Sequence, residues 1–213
     1  MNEGERNEEI SAYLRERIAA GDFPSAVYLV AERGRVRLRD ALGSAVREPV
    51  ERAAVLDTIY DLASLTKPLV TGLLCAQRIE AGELKLDEEV RHYLTEFDVA
   101  DKQAITIRHL VTHTSGLPAW RPLYITTGGR KEEAMRVIAA ERLESAPGTH
   151  VRYSDLGFIT LGFLLERITG AKLAEIARRE IFESLELKRT FFNPEMSLQT
   201  DTAASETGNL YER

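Results

Sequence analysis

Ser64-Leu65-Thr66-Lys67-Pro68 opens an apolar run, Leu69-Val70-Thr71-Gly72-Leu73-Leu74-Cys75-Ala76-Gln77-Arg78-Ile79-Glu80, that closes at Ala81-Gly82. Proline fits the first turn of a helix, where its missing N–H is not needed, and breaks a helix interior. Pro68 therefore predicts a helix beginning close to Ser64, with Ser64 and Lys67 both in its first turn. Residues three apart share a helix face, so a hydroxyl and an amine are held side by side at a helix N-terminus. A serine becomes a useful nucleophile when a neighbouring base takes its proton. Lysine serves as that base only when neutral, and burial or the positive end of a helix lowers its pKa. The N–H groups of the same turn can stabilise an oxyanion on an attacked carbonyl. The pattern suits acyl transfer. It also suits a plain serine N-cap followed by an exposed lysine, so the rest of the chain has to decide.

Upstream, Thr58-Ile59-Tyr60-Asp61-Leu62 is a short strand-like piece. Residues 24–45 read as a β-hairpin. Its strands are Ala26-Val27-Tyr28-Leu29-Val30-Ala31 and Val36-Arg37-Leu38-Arg39-Asp40-Ala41-Leu42, and Glu32-Arg33-Gly34-Arg35 is the turn. Residues 8–20 predict an amphipathic helix, with Ile10, Leu14 and Ile18 four apart and Gly21 as its C-cap. Residues 47–57 read as a loop.

Downstream, residues 84–90 read as a turn and residues 91–97 as a short helix. Thr106-Ile107-Arg108-His109-Leu110-Val111-Thr112-His113 is a second short helix, running into Thr114-Ser115-Gly116-Leu117-Pro118, which has turn chemistry. Residues 131–141, 156–168 and 171–182 predict helices, the second strongly apolar and closed by Thr169-Gly170. Thr190-Phe191-Phe192 is expected to begin a strand. Residues 197–213 show no periodicity, and no internal repeat is found.

With 213 residues and 44% hydrophobic content the chain can bury a substantial core. The net charge of −6 and the lack of a basic, aromatic-laced patch exclude nucleic acid as an expected partner. One cysteine, Cys75, allows no internal disulfide and is expected to be a buried small residue. His109 and His113 have the i, i+4 spacing of metal ligands. No glutamate accompanies them in the metalloprotease pattern and no third ligand is evident, so no metal is expected. The polar N-terminus carries no signal or membrane-spanning run, so the expected location is cytoplasmic, or a mature form trimmed of its signal.

Tyr153-Ser154-Asp155 lies between the Pro147-Gly148 turn and the apolar helix. A phenol there can relay a proton, and a carboxylate can orient Lys67 or a substrate amide. The same residues can instead cap the helix and pack a ring.

Taken in order, Ser64-Leu65-Thr66-Lys67, His113-Thr114-Ser115-Gly116-Leu117-Pro118, Pro147-Gly148-Thr149 and Tyr153-Ser154-Asp155 resemble the serine β-lactamase and penicillin-binding-protein superfamily. Class C β-lactamases and their esterase and D-amino-acid peptidase relatives are nearest in pattern. The resemblance runs over residues 8–192. It implies an α/β (α+β) fold of the β-lactamase and transpeptidase type: an antiparallel sheet flanked by helices plus a mostly helical lobe over residues 65–168, all in one domain spanning 1–213. It implies hydrolysis of an ester, amide or lactam through a Ser64 acyl-enzyme, with no metal or organic cofactor and a small-molecule or peptide-like substrate. Ser64 would be acylated, and its backbone N–H would supply half of the oxyanion hole. Lys67 would accept the Ser64 proton, and Tyr153 would act as general acid and base. Residues 113–118 would form a structural turn. Asp155 stands where many relatives have asparagine, a hint of the esterase-like branch, and a carboxylate there favours charged Lys67. No Lys-Thr-Gly or His-x-Gly follows Tyr153, and the chain closes on Glu206-Thr207-Gly208-Asn209-Leu210-Tyr211-Glu212-Arg213. The expectation is therefore the N-terminal portion of a longer fold, with an exposed hairpin edge open to self-association and no membrane partner. The competing expectation is a module that binds a peptide or acyl ligand in the same pocket without turnover.

Overall fold

Arg33 and Gly34 both adopt positive φ, 52° and 74°. That backbone matches the twist of a tight two-residue hairpin turn, and it sets the register of everything around it. In the computed structural model, which describes residues 3–99 and 101–205, strand β1 (Ser25–Glu32) pairs antiparallel with β2 (Arg35–Val46). Ser25 lies opposite Gly43 and Glu32 opposite Arg35, with an irregularity between Val30 and Ala31. A two-residue strand, β3 (Arg52–Ala53), extends the sheet in the order β1-β2-β3. It corrects the loop expected over 47–57; two residues are too few to show any periodicity. Helix α1 (Glu3–Ala19) packs against β2. Beneath it Ser11 is fully buried and donates to Asp40 Oδ2 at 2.6 Å. These elements belong to the first of two compact units, residues 1–61 with 193–213. There the segment after residue 193 is tied by a parallel bridge from Ile59 to Thr202 and by the Arg52 guanidinium, which donates to the Thr202 carbonyl at 2.6 Å.

The second unit, Leu62–Phe192, is helical. It holds α2 (Leu73–Glu80), α3 (Ile107–Val111), α4 (Leu123–Thr126), α5 (Lys131–Ala140), α6 (Asp155–Thr169) and α7 (Leu173–Ala177). Helix α6 is its axis. Leu156, Leu161, Leu164 and Leu165 are fully buried in one cluster with Leu74 of α2, Leu110 of α3 and Ile138 of α5. Each such leucine stabilises the fold by about 1.5–3 kcal/mol relative to exposure.

Two local expectations need correction. Residues 91–97 form two 3-10 turns, Val90–His92 and Thr95–Phe97, rather than one helix. Their pivots, Val90, Leu94 and Phe97, are all fully buried, so the chain follows the core instead of a helical stripe. The strand expected at 190–192 is absent; Phe192 packs on Phe182, ring centroids 6.2 Å apart. Its β-propensity is overridden by that aromatic contact. The stretch 206–213 lies outside the described residues. No helix among those described is long and apolar enough to cross a membrane.

Gly116 is a point where the fold admits no side chain. Its φ is +79°, and a Cβ there would lie 2.1 Å from the Ser145 carbonyl oxygen. Gly116→Ala is expected to destabilise the helical unit by about 2–4 kcal/mol, through backbone strain plus a clash that cannot relax. A fall in the denaturant midpoint with an unchanged slope would show it.

Candidate active site

Ala63 sits at φ +43°, a left-handed backbone that costs a non-glycine residue about 1–3 kcal/mol. It turns the chain into a 3-10 turn, Ala63–Leu65, followed by a π-helical turn, Lys67–Gly72, and only then α2. Helical backbone does begin at Ser64, as Pro68 required, but the regular α-helix starts at Leu73. Pro68 supplies no N–H, and the wider turn brings the Lys67 carbonyl to 3.1 Å from where a Cβ on Gly72 would stand. Ser64 is not the cap; Leu62 and Thr66 hold those positions. Its hydroxyl accepts instead from Lys67 Nζ, 3.0 Å away.

Tyr153 and Asp155 arrive from a segment bonded rung by rung to residues 113–119. Arg152 N–H donates to His113 O, and Asp155 N–H donates to Ala119 O, each at 2.8 Å. Gly148 N–H donates to Thr114 O and Glu144 N–H to Gly116 O, also at 2.8 Å. Ser154 closes the join. Its hydroxyl donates to Pro118 O at 2.7 Å and accepts from Gly157 N–H at 3.2 Å, the N-cap of α6. The Thr114-Ser115-Gly116-Leu117-Pro118 turn is thus the bed on which the Tyr153 segment lies.

Lys67 is the hub. Its Nζ is 2.7 Å from Asp155 Oδ1 and 4.9 Å from the centre of the Tyr153 ring. Asp155 Oδ1 is buried, and the Lys67 ammonium is the group that meets it. Partial burial works against charge on Lys67, but Asp155 and then Tyr153 outweigh it and hold the ammonium above its ordinary 10.5. Hydrogen bonding from Lys67, then from Ser64, holds the Tyr153 phenol below its ordinary 10. The Lys67 cation, which is also the donor, and an acidified phenol converge on one serine.

Two cavities flank the hub. One of about 920 Å³ is lined by Ser64, Lys67, Cys75, His113 and Tyr153. The other, about 540 Å³, is lined by Asp155, Trp120, Tyr124 and Phe163, and Lys67 and Phe158 face both. Cys75 is buried, and burial pushes its thiol up to about 12, so it stays neutral. The two histidines do not act as a pair. His109 Nδ1 accepts from Thr106 N–H, and His113 Nδ1 accepts from Ser154 N–H, each at 3.1 Å. Among the described residues no group of three or more His, Cys, Asp or Glu is placed to hold a metal.

The structure therefore brings Ser64, Lys67, Tyr153 and Asp155 together. Sequence reasoning gave His113 only a place in the structural turn, whereas its ring packs on Tyr153, and it missed Phe158 against His113 and Trp120 with Tyr124 beside the second cavity. The aromatic residues near the turn were the available signal for the cavity. Nothing in the sequence announced the left-handed backbone at Ala63 or at His113.

A family profile described as Beta-lactamase matches residues 10–212. The chain is 38% identical over 179 residues to "Esterase EstB" of Burkholderia gladioli, covering 76% of this chain and 44% of that protein. It is 30% identical over 204 residues to "N-acetylmuramyl-L-alanine amidase" of Bacillus subtilis (strain 168), covering 87% of this chain and 46% of that protein. The chain thus spans about half the length of the curated relatives it matches. Among solved structures, "EstCE1, a hydrolase with promiscuous acyltransferase activity" superposes with a TM-score of 0.78 at 30% identity, over 94% of this chain and 55% of that one. "A class C beta-lactamase" superposes with a TM-score of 0.83 at 20% identity, over 94% and 54%. That likeness carries the fold.

Proposed function

The chain belongs to the Beta-lactamase family, and from that premise we propose that it carries the acyl-transfer site of a serine hydrolase acting on carboxylic esters through a Ser64 acyl-enzyme. The observation that carries this reading is the Lys67 ammonium, 3.0 Å from Ser64 Oγ and 2.7 Å from Asp155 Oδ1, with the Tyr153 ring beside it. An isolated serine–lysine contact would be ordinary; a serine sharing its lysine with an acidified phenol is poised for proton transfer.

The electrostatics favour Tyr153 over Lys67 as the group that takes the Ser64 proton. A lysine held above its ordinary value is a donor, while a phenol held below its own is the readier base. Ser64 Oγ attacks the acyl carbonyl carbon as its proton passes to the Tyr153 oxygen. The tetrahedral oxyanion is met by the Ser64 backbone N–H. Tyr153 then returns the proton to the departing alkoxide, leaving an ester on Ser64. Water repeats the sequence with the same proton acceptor, releasing the acid and restoring the hydroxyl. Lys67 stays charged throughout, stabilising the phenolate form and the charge that develops at Oγ.

The ester is preferred to the amide on three grounds. Asp155 carries a charge where an amide-binding asparagine would offer both a donor and an acceptor. The relative at 38% identity is an esterase by name, and both cavities beside the hub are walled largely by apolar side chains.

The test is intact mass after incubation with a fluorophosphonate. The expected result is one adduct per chain, lost in Ser64→Ala. No adduct on protein whose circular dichroism shows it folded would overturn the reading and favour ligand binding without turnover. Aryl esters of increasing acyl length, compared with a β-lactam chromophore, would then decide the substrate class; faster turnover of the lactam would overturn the ester preference.

A further inference from the structure

His113 is used twice by the segment that carries Tyr153. Its carbonyl accepts from Arg152 N–H at 2.8 Å, and its side-chain Nδ1 accepts from Ser154 N–H at 3.1 Å. The residues on either side of Tyr153 are therefore both fixed to one histidine. The imidazole also lies against the Tyr153 ring, centroids 4.6 Å apart, and against Phe158 of α6, at 4.9 Å. This placement depends on a backbone φ of +58° at His113, a conformation uncommon for any residue with a side chain. We propose that His113 is a positioning residue that sets the Tyr153 phenol in place, and that it does so only as the neutral imidazole.

The second half follows from hydrogen-bond chemistry. A backbone N–H can only donate, so Nδ1 must carry a lone pair, and protonation of Nδ1 removes the acceptor. The groups that face the ring set when this happens. Burial acts first and Lys67 second to hold His113 below its ordinary 6.5, with Asp155 opposing them. Tyr153 lies against it, and Cys75 of α2, a neutral thiol, lines the same cleft. Arg152 directs its guanidinium to Glu144, and on the histidine's own side of the turn His109 is engaged by Thr106 and Arg108 by Asp87. The Ser154 bond is thus intact above the ordinary histidine range and is lost as the pH falls through the lowered value.

Two variants separate the bond from the ring. His113→Asn places Oδ1 where Nδ1 was, tolerates positive φ and cannot be protonated. His113→Ala removes both bond and ring. The first readout does not need catalysis: ultraviolet titration of Tyr153, identified by the signal lost in Tyr153→Phe. The phenol is expected to titrate at least roughly half a pH unit higher in His113→Ala, because it leaves the Lys67 ammonium that acidifies it. In His113→Asn it is expected to move less. The second readout rests on the Ser64 reading: the rate of fluorophosphonate labelling between pH 4.5 and 8. Wild-type labelling, which already falls with pH as the phenolate takes up its proton, should fall more steeply on the acid side of the histidine transition. His113→Asn should keep the phenol's slope and lose the added steepness, and His113→Ala should be slower by about tenfold or more even at pH 7.5. An unchanged phenol titration in His113→Ala, or the same acid limb in His113→Asn as in wild type, would overturn the proposal. If wild-type Ser64 takes no label at any pH, the acyl-transfer reading fails, and the phenol titration alone decides the role of His113.

Discussion

Lys67→Met is expected to slow Ser64 labelling at pH 7.5 by about 10³-fold or more. Methionine keeps most of the volume and apolar stem and removes the charged donor at its end. Three effects are lost at once: the hydrogen bond to Ser64 Oγ at 3.0 Å, the cation that holds Tyr153 acidic, and the partner of Asp155 at 2.7 Å. The third loss also bears on stability, because Asp155 Oδ1 is buried with no hydrogen bond to replace the ion pair. The variant should therefore be both inactive and less stable. Lys67→Met/Asp155→Asn should regain stability without regaining labelling, since it removes the uncompensated charge and leaves the chemistry broken. Thermal melts beside mass-detected labelling of both variants give the answer. A Lys67→Met protein that labels within tenfold of wild type would end the claim that the ammonium activates Ser64.

Tyr153→Phe is expected to cost about 10²–10⁴ in the same rate, the usual worth of a positioned general acid–base. Phenylalanine preserves the ring against His113 and under Lys67, so the melting temperature should hardly move. The pH profile carries the sharper discrimination. In wild type the labelling rate should rise with pH as the phenol loses its proton, with a midpoint below the ordinary 10. It should fall again only where Lys67, held above 10.5, loses its charge. In Tyr153→Phe the rising limb should vanish. A variant that keeps that limb would return the role of base to Lys67, as the resemblance first implied.

The stability of the site follows the same signs. His113 binds its proton less readily in the fold than free histidine does, so its contribution is present near neutral pH and fades on acidification. Acid should therefore loosen the Tyr153 segment before it unfolds α6, whose core residues Leu156, Leu161, Leu164 and Leu165 carry no titratable group.

Much of this protein is legible in its sequence because the relevant physics is local. Pro68 and the serine–lysine spacing place two groups on one turn, and the structure keeps them 3.0 Å apart. The hairpin follows from the turn at residues 32–35 between an apolar strand and an alternating one, and α6 from the strongly apolar run 156–168 closed by Thr169-Gly170. The four motifs in order are enough to imply the family fold. What periodicity could not supply lies where the chain bends against its own preference. The π-helical turn after Lys67, the left-handed Ala63 and His113, and the paired 3-10 turns at 90–97 have no sequence period. They persist because burial and backbone pairing elsewhere offset their local cost. The electrostatic character of the site is decided at the same level. Asp155 is 88 residues beyond Lys67, and only the rungs between residues 113–119 and 144–155 bring its carboxylate within 2.7 Å of the amine. Sequence alone thus determined which groups are candidates for the site. Tertiary packing decided which of them lie close enough to shift one another's proton affinity, because charge acts through distance in space and not through position in the chain.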